Sequence, residues 1–158
     1  MENSKNFNGK VALVTGSSCG IGLATVLYLA KCGAKVVING RDEECVKKVA
    51  QQCSSESGQT DSVAYLKADV SIESECNKLI NLTIEKFGKL DILVNNAGVA
   101  AYTSIHDDDL MKKYDQVMND NLKSVVYLTY LAVPYLEKTK GVIINISSVT
   151  SIKPVSWL

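Results

Sequence analysis

Short runs of apolar residues alternate along the chain with longer segments in which apolar residues recur every three or four positions. The short runs suit strands buried on both faces, and the longer segments suit amphipathic helices. Five runs are predicted to be strands: Lys10–Thr15, Lys35–Asn39, Val63–Lys67, Asp91–Asn95 and Val142–Ser147. Strands alternating with helices predict an α/β fold with a parallel sheet. Right-handed crossovers favour a doubly wound arrangement, with a ligand crevice at the carboxyl ends of the strands.

The first two helices have recognisable ends. One follows a glycine-bearing turn and ends near Cys32, where Gly33 stands at the usual position of a C-terminal glycine. Asp42 can cap the second helix. The buried face of that helix is predicted to carry Cys45, Val49 and Cys53. The polar segment Ser54–Asp61 is predicted to be a loop.

Two further helices are predicted in the second half of the chain. One starts at Ser71 and ends at Gly88. Its apolar face carries Cys76, Leu79, Ile80, Thr83, Ile84 and Phe87. The other is a long helix from about Asp109 to Leu136, with an interruption near Pro134, because proline lacks the N–H that a helix interior needs.

Composition and charge exclude several classes of protein. Seventeen basic residues balance 17 acidic ones without a basic run, so nucleic acid is not an expected partner. The longest apolar run, Val125–Leu136, is too short to span a bilayer. The five cysteines form no CxxC pair, which gives no support for a zinc site or a disulfide framework. The polar N-terminus is not a signal peptide, so a reducing, cytoplasmic location is expected.

The single histidine offers the one metal-site alternative. His106 is followed by three aspartates, and a metal ion held by these four side chains can be imagined. An exposed polar loop that leads into the long helix is the simpler interpretation, because acidic residues favour a helix N-terminus. We therefore predict no metal site.

The first predicted strand runs into a glycine-bearing turn, Thr15–Gly22, with the letters TGSSCGIG. Gly16 allows a sharp turn off the strand, Gly20 allows a close approach to a pyrophosphate, and Gly22 allows the helix to pack near the sheet. The spacing is GxxxGxG rather than GxGxxG, so a plain glycine-rich turn is the alternative. The strand before and the helix after favour a dinucleotide site, and the absence of GK[ST] excludes a P-loop.

Five motifs in order resemble the short-chain dehydrogenase/reductase family. They are the turn Thr15–Gly22, Asp69-Val70, Asn95–Gly98 (NNAG), Asn121 within NDNLKSV, and Ile146–Ser148 (ISS). The resemblance implies a Rossmann-like sheet with strand order 3-2-1-4-5 and an NAD(P)-binding domain over residues 1–158 that is incomplete at its C-terminus. It also implies an oxidoreductase that transfers hydride between nicotinamide and a small-molecule carbonyl or alcohol substrate, and a homo-oligomer in the full-length form.

The resemblance also implies a cofactor site. Its members are Gly16, Ser17, Ser18, Gly20, Ile21, Gly22, Arg41, Asp69, Val70, Asn95, Ala97 and Gly98. Asp69 is expected to bond to the adenine amino group while Val70 packs on the ring. The last three residues of the set are expected to run past the ribose and help fix the central strand. The alternative for Asp69, together with Ser71, is a simple helix cap.

Two catalytic residues follow from the same resemblance. Asn121 is expected to help hold a proton-relay water, and Ser148 is expected to hydrogen-bond to the substrate carbonyl oxygen. Their alternatives are a polar residue on a solvated helix face and an ordinary loop hydroxyl. The family's general acid, a tyrosine with a lysine four residues later, is expected about a dozen residues beyond the serine, whereas this sequence ends at Leu158.

The turn after the second strand favours NADP over NAD. An acidic side chain at that turn would bind the ribose 2′-hydroxyl and repel a 2′-phosphate. Here Gly40 stands at the acidic position and Arg41 follows it, and a guanidinium can pair with a phosphate. Asp42 could instead pair with Arg41.

Three functional hypotheses remain at the level of the sequence. The first is a fragment or truncated form of an active reductase, and the second is a catalytically inactive nucleotide-binding or regulatory form of the same fold. The third is an unrelated doubly wound domain such as a methyltransferase. NNAG and Gly40 count against the third, because methyltransferases usually place an acid after the second strand.

Overall fold

A computed structural model describes residues 7–59 and 61–152, which form a parallel sheet of five strands. The strands are β1 (Val11–Val14), β2 (Lys35–Gly40), β3 (Val63–Lys67), β4 (Ile92–Asn95) and β5 (Val142–Asn145). They lie in the order β3-β2-β1-β4-β5, and all four ladders are parallel. The predicted fold class and strand order are therefore confirmed. The ends of the predicted domain, residues 1 and 158, lie outside the described residues.

Five helices connect the strands within this part of the chain. They are α1 (Gly20–Lys31), α2 (Glu43–Ser57), α3 (Glu73–Phe87), α4 (Leu110–Met118) and α5 (Ser124–Thr139). A π-helical turn, Asn119–Lys123, joins α4 to α5, and a short 3₁₀ turn, Val149–Ser151, follows β5. None of the helices described is both long enough and apolar enough to cross a membrane.

Two apolar layers cover the faces of the sheet. Side chains alternate along β1, so Ala12 and Val14 pack under α1 and α2, while Leu13 packs on the opposite face. The first layer includes Val26 of α1 and Val46 of α2, and the second includes residues of α3 and α5. Every β1 residue is fully buried between these two layers.

The structure corrects two predictions for α2. Cys45 is exposed, and the buried residues of this helix are Val46, Val49, Ala50 and Cys53. Asp42 caps the helix through the Cys45 amide, which sets a helical phase that turns residue 45 away from the sheet. The helix also extends to Ser57, into the segment predicted as a loop. It ends there because Gly58 takes up the left-handed conformation, with φ at 60°.

The predicted interruption near Pro134 is wrong. Helix α5 continues through Pro134 to Thr139, and the irregular segment lies earlier, in the π-helical turn. Pro134 is exposed, so the carbonyl that loses its partner in the preceding turn can be hydrated. Several boundaries also move by one to three residues; for example, α3 begins at Glu73 rather than Ser71, and β5 ends at Asn145 rather than Ser147.

The far edge of the sheet presents apolar side chains to the surface. Val142, Ile143 and Ile144 of β5 are 37–51% exposed. An open apolar groove of about 490 Å³ runs between β5 and α1 and is lined by residues that include Tyr28 and Ile144. The opposite edge strand, β3, is partly covered by α2 and α3.

Candidate functional site

A cavity of about 300 Å³ opens at the carboxyl ends of the strands. It lies where the chain leaves β1, β2, β3 and β4, on both sides of the point at which the strand order reverses. Its walls are formed by Gly16, Ser18, Cys19, Gly20, Ile21, Asn39, Gly40, Arg41, Ala68, Asp69, Val70, Asn96, Ala97, Gly98, Val99 and Asp120. The strand ends thus bring together residues far apart in the sequence.

Two glycines of the first turn are required by close contacts. Gly16 has φ at +61°, and a Cβ there would lie 2.8 Å from the Ala97 Cα atom. A Cβ on Gly22 would lie 2.4 Å from the Gly16 carbonyl oxygen. The turn can therefore pass under the loop after β4, and α1 can start directly behind it. The first two residues of α1, Gly20 and Ile21, lie in the cavity wall, and the first amides of a helix lack partners within the helix, as an anion site needs.

The cavity contains nine of the twelve residues predicted for cofactor binding, and three lie behind its wall. The three are Ser17, Gly22 and Asn95, all of which are buried. The Ser17 hydroxyl donates to the Val14 carbonyl at 2.8 Å and accepts from the Asn39 amide at 3.0 Å. Ser17 therefore holds the turn to the strand ends and does not face a ligand.

Asp69 follows β3, and its two carboxylate oxygens have different surroundings. One carboxylate oxygen accepts from the Ser71 amide at 2.9 Å and from its hydroxyl at 2.7 Å, which closes the turn before α3. The N-cap residue of α3 is Ile72, however, so Asp69 does not cap the helix directly. Its Oδ2 atom has no hydrogen-bond partner among residues 7–59 and 61–152, and Val70 lies beside it in the cavity wall.

The loop after β4 is fixed by polar side chains that the sequence analysis did not single out. The Thr15 hydroxyl accepts from the amides of Asn96 and Ala97, each at 3.0 Å. The Asn96 side chain donates to the carbonyls of Thr15 and Gly16 at 2.9 and 3.1 Å. Thr15 and Asn96 lie at strand ends inside two of the motifs that resemble the family, and this position was the signal by which the sequence could have shown their role.

Asn95 joins the ends of two strands. Its side-chain nitrogen donates to the Asn145 side-chain oxygen at 2.9 Å, which links β4 to β5. Its own Oδ1 atom is buried and, within the described part of the chain, has no hydrogen-bond partner. Asn95 thus belongs to the sheet beneath the cavity.

Asn121 lies in the π-helical turn and holds the loop after β4. Its Oδ1 atom accepts from the Val99 amide, and its Nδ2 atom donates to the Val99 carbonyl, both at 2.8 Å. A Cβ on Gly98 would lie 3.2 Å from the same Oδ1 atom. Asn121 is therefore a clamp on this loop rather than a side chain directed only at solvent.

Ser148 follows β5 and is exposed. Its hydroxyl oxygen accepts from the Thr150 amide at 3.2 Å and lies 2.9 Å from the Thr150 hydroxyl. These contacts make it the N-cap of the 3₁₀ turn. Neither Ser148 nor Asn121 is part of the cavity wall.

The family follows from a direct comparison with known proteins. Residues 10–158 match the family model of the short chain dehydrogenases. The chain belongs to the short-chain dehydrogenase family. Its relatives include an 11-beta-hydroxysteroid dehydrogenase-like 4A protein of Arabidopsis thaliana, 38% identical over 156 residues, which are 99% of this chain and 50% of that protein. L-fucose dehydrogenase of Rattus norvegicus is 37% identical over 142 residues, which are 90% of this chain and 50% of that one.

Solved structures of short-chain dehydrogenases have the same fold. Glucose dehydrogenase of Caenorhabditis elegans in its apo form is 44% identical, with a TM-score of 0.80 over 91% of this chain and 56% of that one. A short-chain dehydrogenase/reductase of unknown function from the same organism, solved with cofactor, is 35% identical, with a TM-score of 0.87 over 96% and 56%. The chain spans about half the length of the curated relatives it matches.

One corner of this short-chain dehydrogenase cavity carries its basic group. Arg41 is exposed there, next to Gly40. The neighbouring Asp42 is engaged elsewhere: its carboxylate accepts from the Cys45 amide at 2.9 Å, and this bond lowers the pKa of Asp42. Among the ion pairs of the described residues, none joins Arg41 to Asp42. The guanidinium is thus available to a ligand.

The cysteines and the histidine lie apart from any common ligand set. Burial raises the pKa of the Cys53 and Cys76 thiols to about 11, so both are protonated near neutral pH. Cys19 is exposed in the cavity wall. His106 lies in an exposed loop, and no group of three or more potential metal ligands occurs in the described ranges.

Proposed function

We propose that this short-chain dehydrogenase binds NADP in the 300 Å³ cavity and belongs to an enzyme that transfers hydride between the nicotinamide and a carbonyl or alcohol substrate. The bound dinucleotide would supply the hydride to a carbonyl or accept it from an alcohol, and the protein would bind and orient the dinucleotide. The observation that carries the proposal is the corner formed by Ser18, Gly40 and Arg41.

Steric contacts at Gly40 support the choice of NADP. A Cβ at this position would lie 2.7 Å from the Ser18 hydroxyl oxygen and 3.0 Å from a Val46 methyl carbon. The acidic side chain that selects NAD therefore has no room here. The groups left at the corner are a hydroxyl and a guanidinium, both able to donate hydrogen bonds to a phosphate.

The remaining walls fit the rest of a dinucleotide. In our proposal, backbone amides of the glycine turn and of the start of α1 bind the pyrophosphate. The unpartnered Oδ2 atom of Asp69 can accept from an adenine amino group, and Val70 offers an apolar surface for the ring. Ala97 and Gly98 leave a smooth wall along which a ribose can lie.

Names of the relatives support the substrate class. The proteins named above are a hydroxysteroid dehydrogenase-like protein, an L-fucose dehydrogenase and a glucose dehydrogenase. Steroid alcohols and sugars share an oxidisable C–OH group. In our proposal, Ser148 turns its hydroxyl from Thr150 to the substrate oxygen, while Asn121 positions the loop beside it.

Titration with both cofactors tests the proposal. We expect NADPH to bind more tightly than NADH, and we expect Arg41→Ala to remove most of that preference. A charge-assisted contact with a phosphate is worth about 1.5–3 kcal/mol, or roughly tenfold to hundredfold in affinity. Quenching or enhancement of the reduced nicotinamide fluorescence gives both dissociation constants.

Lys48→Ala on α2 is the matched control, since it also removes one exposed positive charge but lies outside the cavity wall. Equal affinities for the two cofactors, or a preference that survives in Arg41→Ala, would contradict the assignment of NADP.

A further inference from the structure

Three separate segments form one side of the cavity, and a single buried side chain on one of them contacts the other two. The segments are the turn after β1, the end of β2, and residues Ala68–Val70 after β3. Asn39, the penultimate residue of β2, is 1% exposed and lies in the cavity wall. Its position allows its amide to reach both neighbouring segments.

The hydrogen bonds of Asn39 run in both directions across the sheet. Its Oδ1 atom accepts from the Gly16 amide at 3.3 Å. Its Nδ2 atom donates to the carbonyls of Ala68 at 3.0 Å and Leu66 at 3.4 Å. On the backbone, the Asn39 carbonyl accepts from the Ser17 amide at 2.8 Å. The side chain thus uses an acceptor toward β1 and donors toward β3.

These side-chain bonds are additional to the regular backbone ladders of the sheet. The strands are already paired by backbone hydrogen bonds, Val14 with Ile38 and Gly40 with Lys67 among them. The Asn39 amide adds contacts to the turn at Gly16 and to the carbonyl just before Asp69. Its effect should therefore be on the spacing of two loops rather than on the existence of the sheet.

We propose that Asn39 is the positioning residue of the adenosine side of the cavity. It holds the glycine turn and the Ala68–Val70 segment at the separation that an adenosine 2′,5′-bisphosphate needs. The proposal rests on the assignment of the cavity to NADP. It requires a side chain with an acceptor at one atom and a donor at the other, and among side chains of this size asparagine and protonated aspartic acid meet that requirement.

Asn39→Asp should make the affinity for adenosine 2′,5′-bisphosphate depend on pH. Protonated, the carboxylic acid can donate to Ala68 and accept from Gly16, as the amide does. Ionised, it has two acceptors and faces two carbonyls without a donor. Burial and the carbonyls raise the pKa of such a carboxyl, so affinity should fall as pH rises through that value.

The measurement is the dissociation constant of 2′,5′-ADP by calorimetry at pH 5 to 9, for wild type and variant at each pH. We expect a ratio near one at the acidic end and a loss of about tenfold to hundredfold at the alkaline end, as for a lost hydrogen bond to a buried group. Far-UV circular dichroism is recorded at each pH. A ratio that does not change with pH, whether near one or uniformly high, overturns the proposal.

Two further variants keep the test decisive. Asn39→Ser is too short to span both segments and buries no charge, so it should weaken 2′,5′-ADP about tenfold at every pH; unchanged affinity overturns the proposal. Thr83→Val removes a buried hydroxyl that donates to Leu79 at 2.8 Å within α3, and it should leave the affinity unchanged. If wild type binds neither 2′,5′-ADP nor NADPH, the proposed function fails and this inference fails with it.

Discussion

At Gly16 the backbone leaves β1 with a positive φ and passes directly beneath Ala97. We expect Gly16→Val to weaken NADPH binding by more than tenfold. A β-branched residue at positive φ carries strain of about 1–3 kcal/mol, and its Cβ would have to displace the Ala97 backbone. Fluorescence titration with NADPH measures the loss, and circular dichroism shows whether the variant is folded.

Cys19→Ala is the control for this change. Cys19 lies in the same turn but is exposed, and its extended backbone, with φ at −157°, suits any residue. The affinity of the Cys19→Ala variant for NADPH should stay within about threefold of wild type. This change is smaller than the loss of one hydrogen bond would cause. A folded valine variant that binds as tightly as wild type would show that the glycine turn is not the cofactor site.

At the scale of residues, the sequence predicts well which segments lie together. It predicts less well which atoms face a ligand. Gly16 and Asp69 were recognisable because each directly follows a strand, and they line the cavity. Ser17 has the same position in the motif but points into the protein. Asn39 was predicted only as the last residue of a strand, because its hydrogen bonds to Gly16 and Ala68 depend on how three strands align.

At the scale of elements, Asp91 binds the start of β4 to its neighbours. Its buried carboxylate accepts from the Val11 amide of β1 at 2.9 Å and pairs with Lys10 and Lys89 at 3.0 and 2.9 Å. Burial raises the pKa of Asp91, but the bonds from the two lysines and the amide outweigh it, so the pKa lies below its ordinary value of 3.8.

We expect Asp91→Asn to lower the free energy of unfolding by about 1–2 kcal/mol at pH 7, a figure kept small because both lysines are partly exposed. The folded-state pKa is depressed, so the contribution is present above the unfolded value and is lost as pH falls through the folded value. Urea denaturation of wild type and variant at pH 7 and near pH 3 measures the difference in the free energy of unfolding at each pH. A difference between variant and wild type that is equally large at the acidic pH would contradict this account.

The boundaries of helices were the least predictable elements. Sequence composition made Ser54–Asp61 resemble a loop, yet α2 continues to Ser57, because the polar residues 54–56 are exposed on the outer face while Cys53, one turn earlier, packs on the sheet. Likewise, Pro134 does not end α5, because it lies on the exposed side of the helix, where water can satisfy the carbonyl that loses its partner. Both outcomes depend on tertiary packing that propensity does not contain.

At the scale of the whole molecule, the 158 residues include the proposed cofactor cavity and Ser148, and no tyrosine follows Ser148 within them. We expect the 158-residue chain to bind NADPH without measurable carbonyl reduction. Negative charge develops on the substrate oxygen during hydride transfer, and a serine hydroxyl is too weak an acid to neutralise it. A positioned general acid contributes about a hundredfold to ten-thousandfold.

The assay follows NADPH oxidation with ketones, aldehydes and quinones, on this chain and on one extended into a tyrosine-and-lysine segment. The extended chain should turn over, and Ser148→Ala in it should slow turnover while leaving the affinity for NADPH little changed. Light scattering must accompany the assay, because the apolar edge strand β5 invites association between copies. Robust turnover by the 158-residue chain would mean that another group is the acid.

Because each wall of the cavity directly follows a different strand, a ligand can bind only when all four strands are aligned. Occupancy is therefore thermodynamically linked to folding of the sheet. At a ligand concentration one hundred times its dissociation constant, binding adds about 2.7 kcal/mol to the free energy of unfolding. Thermal melting of this chain in rising NADPH or 2′,5′-ADP thus reads out affinity through stability, with no chemical turnover required. By the same linkage, the nucleotide present in a cell would raise the free energy of unfolding of the protein.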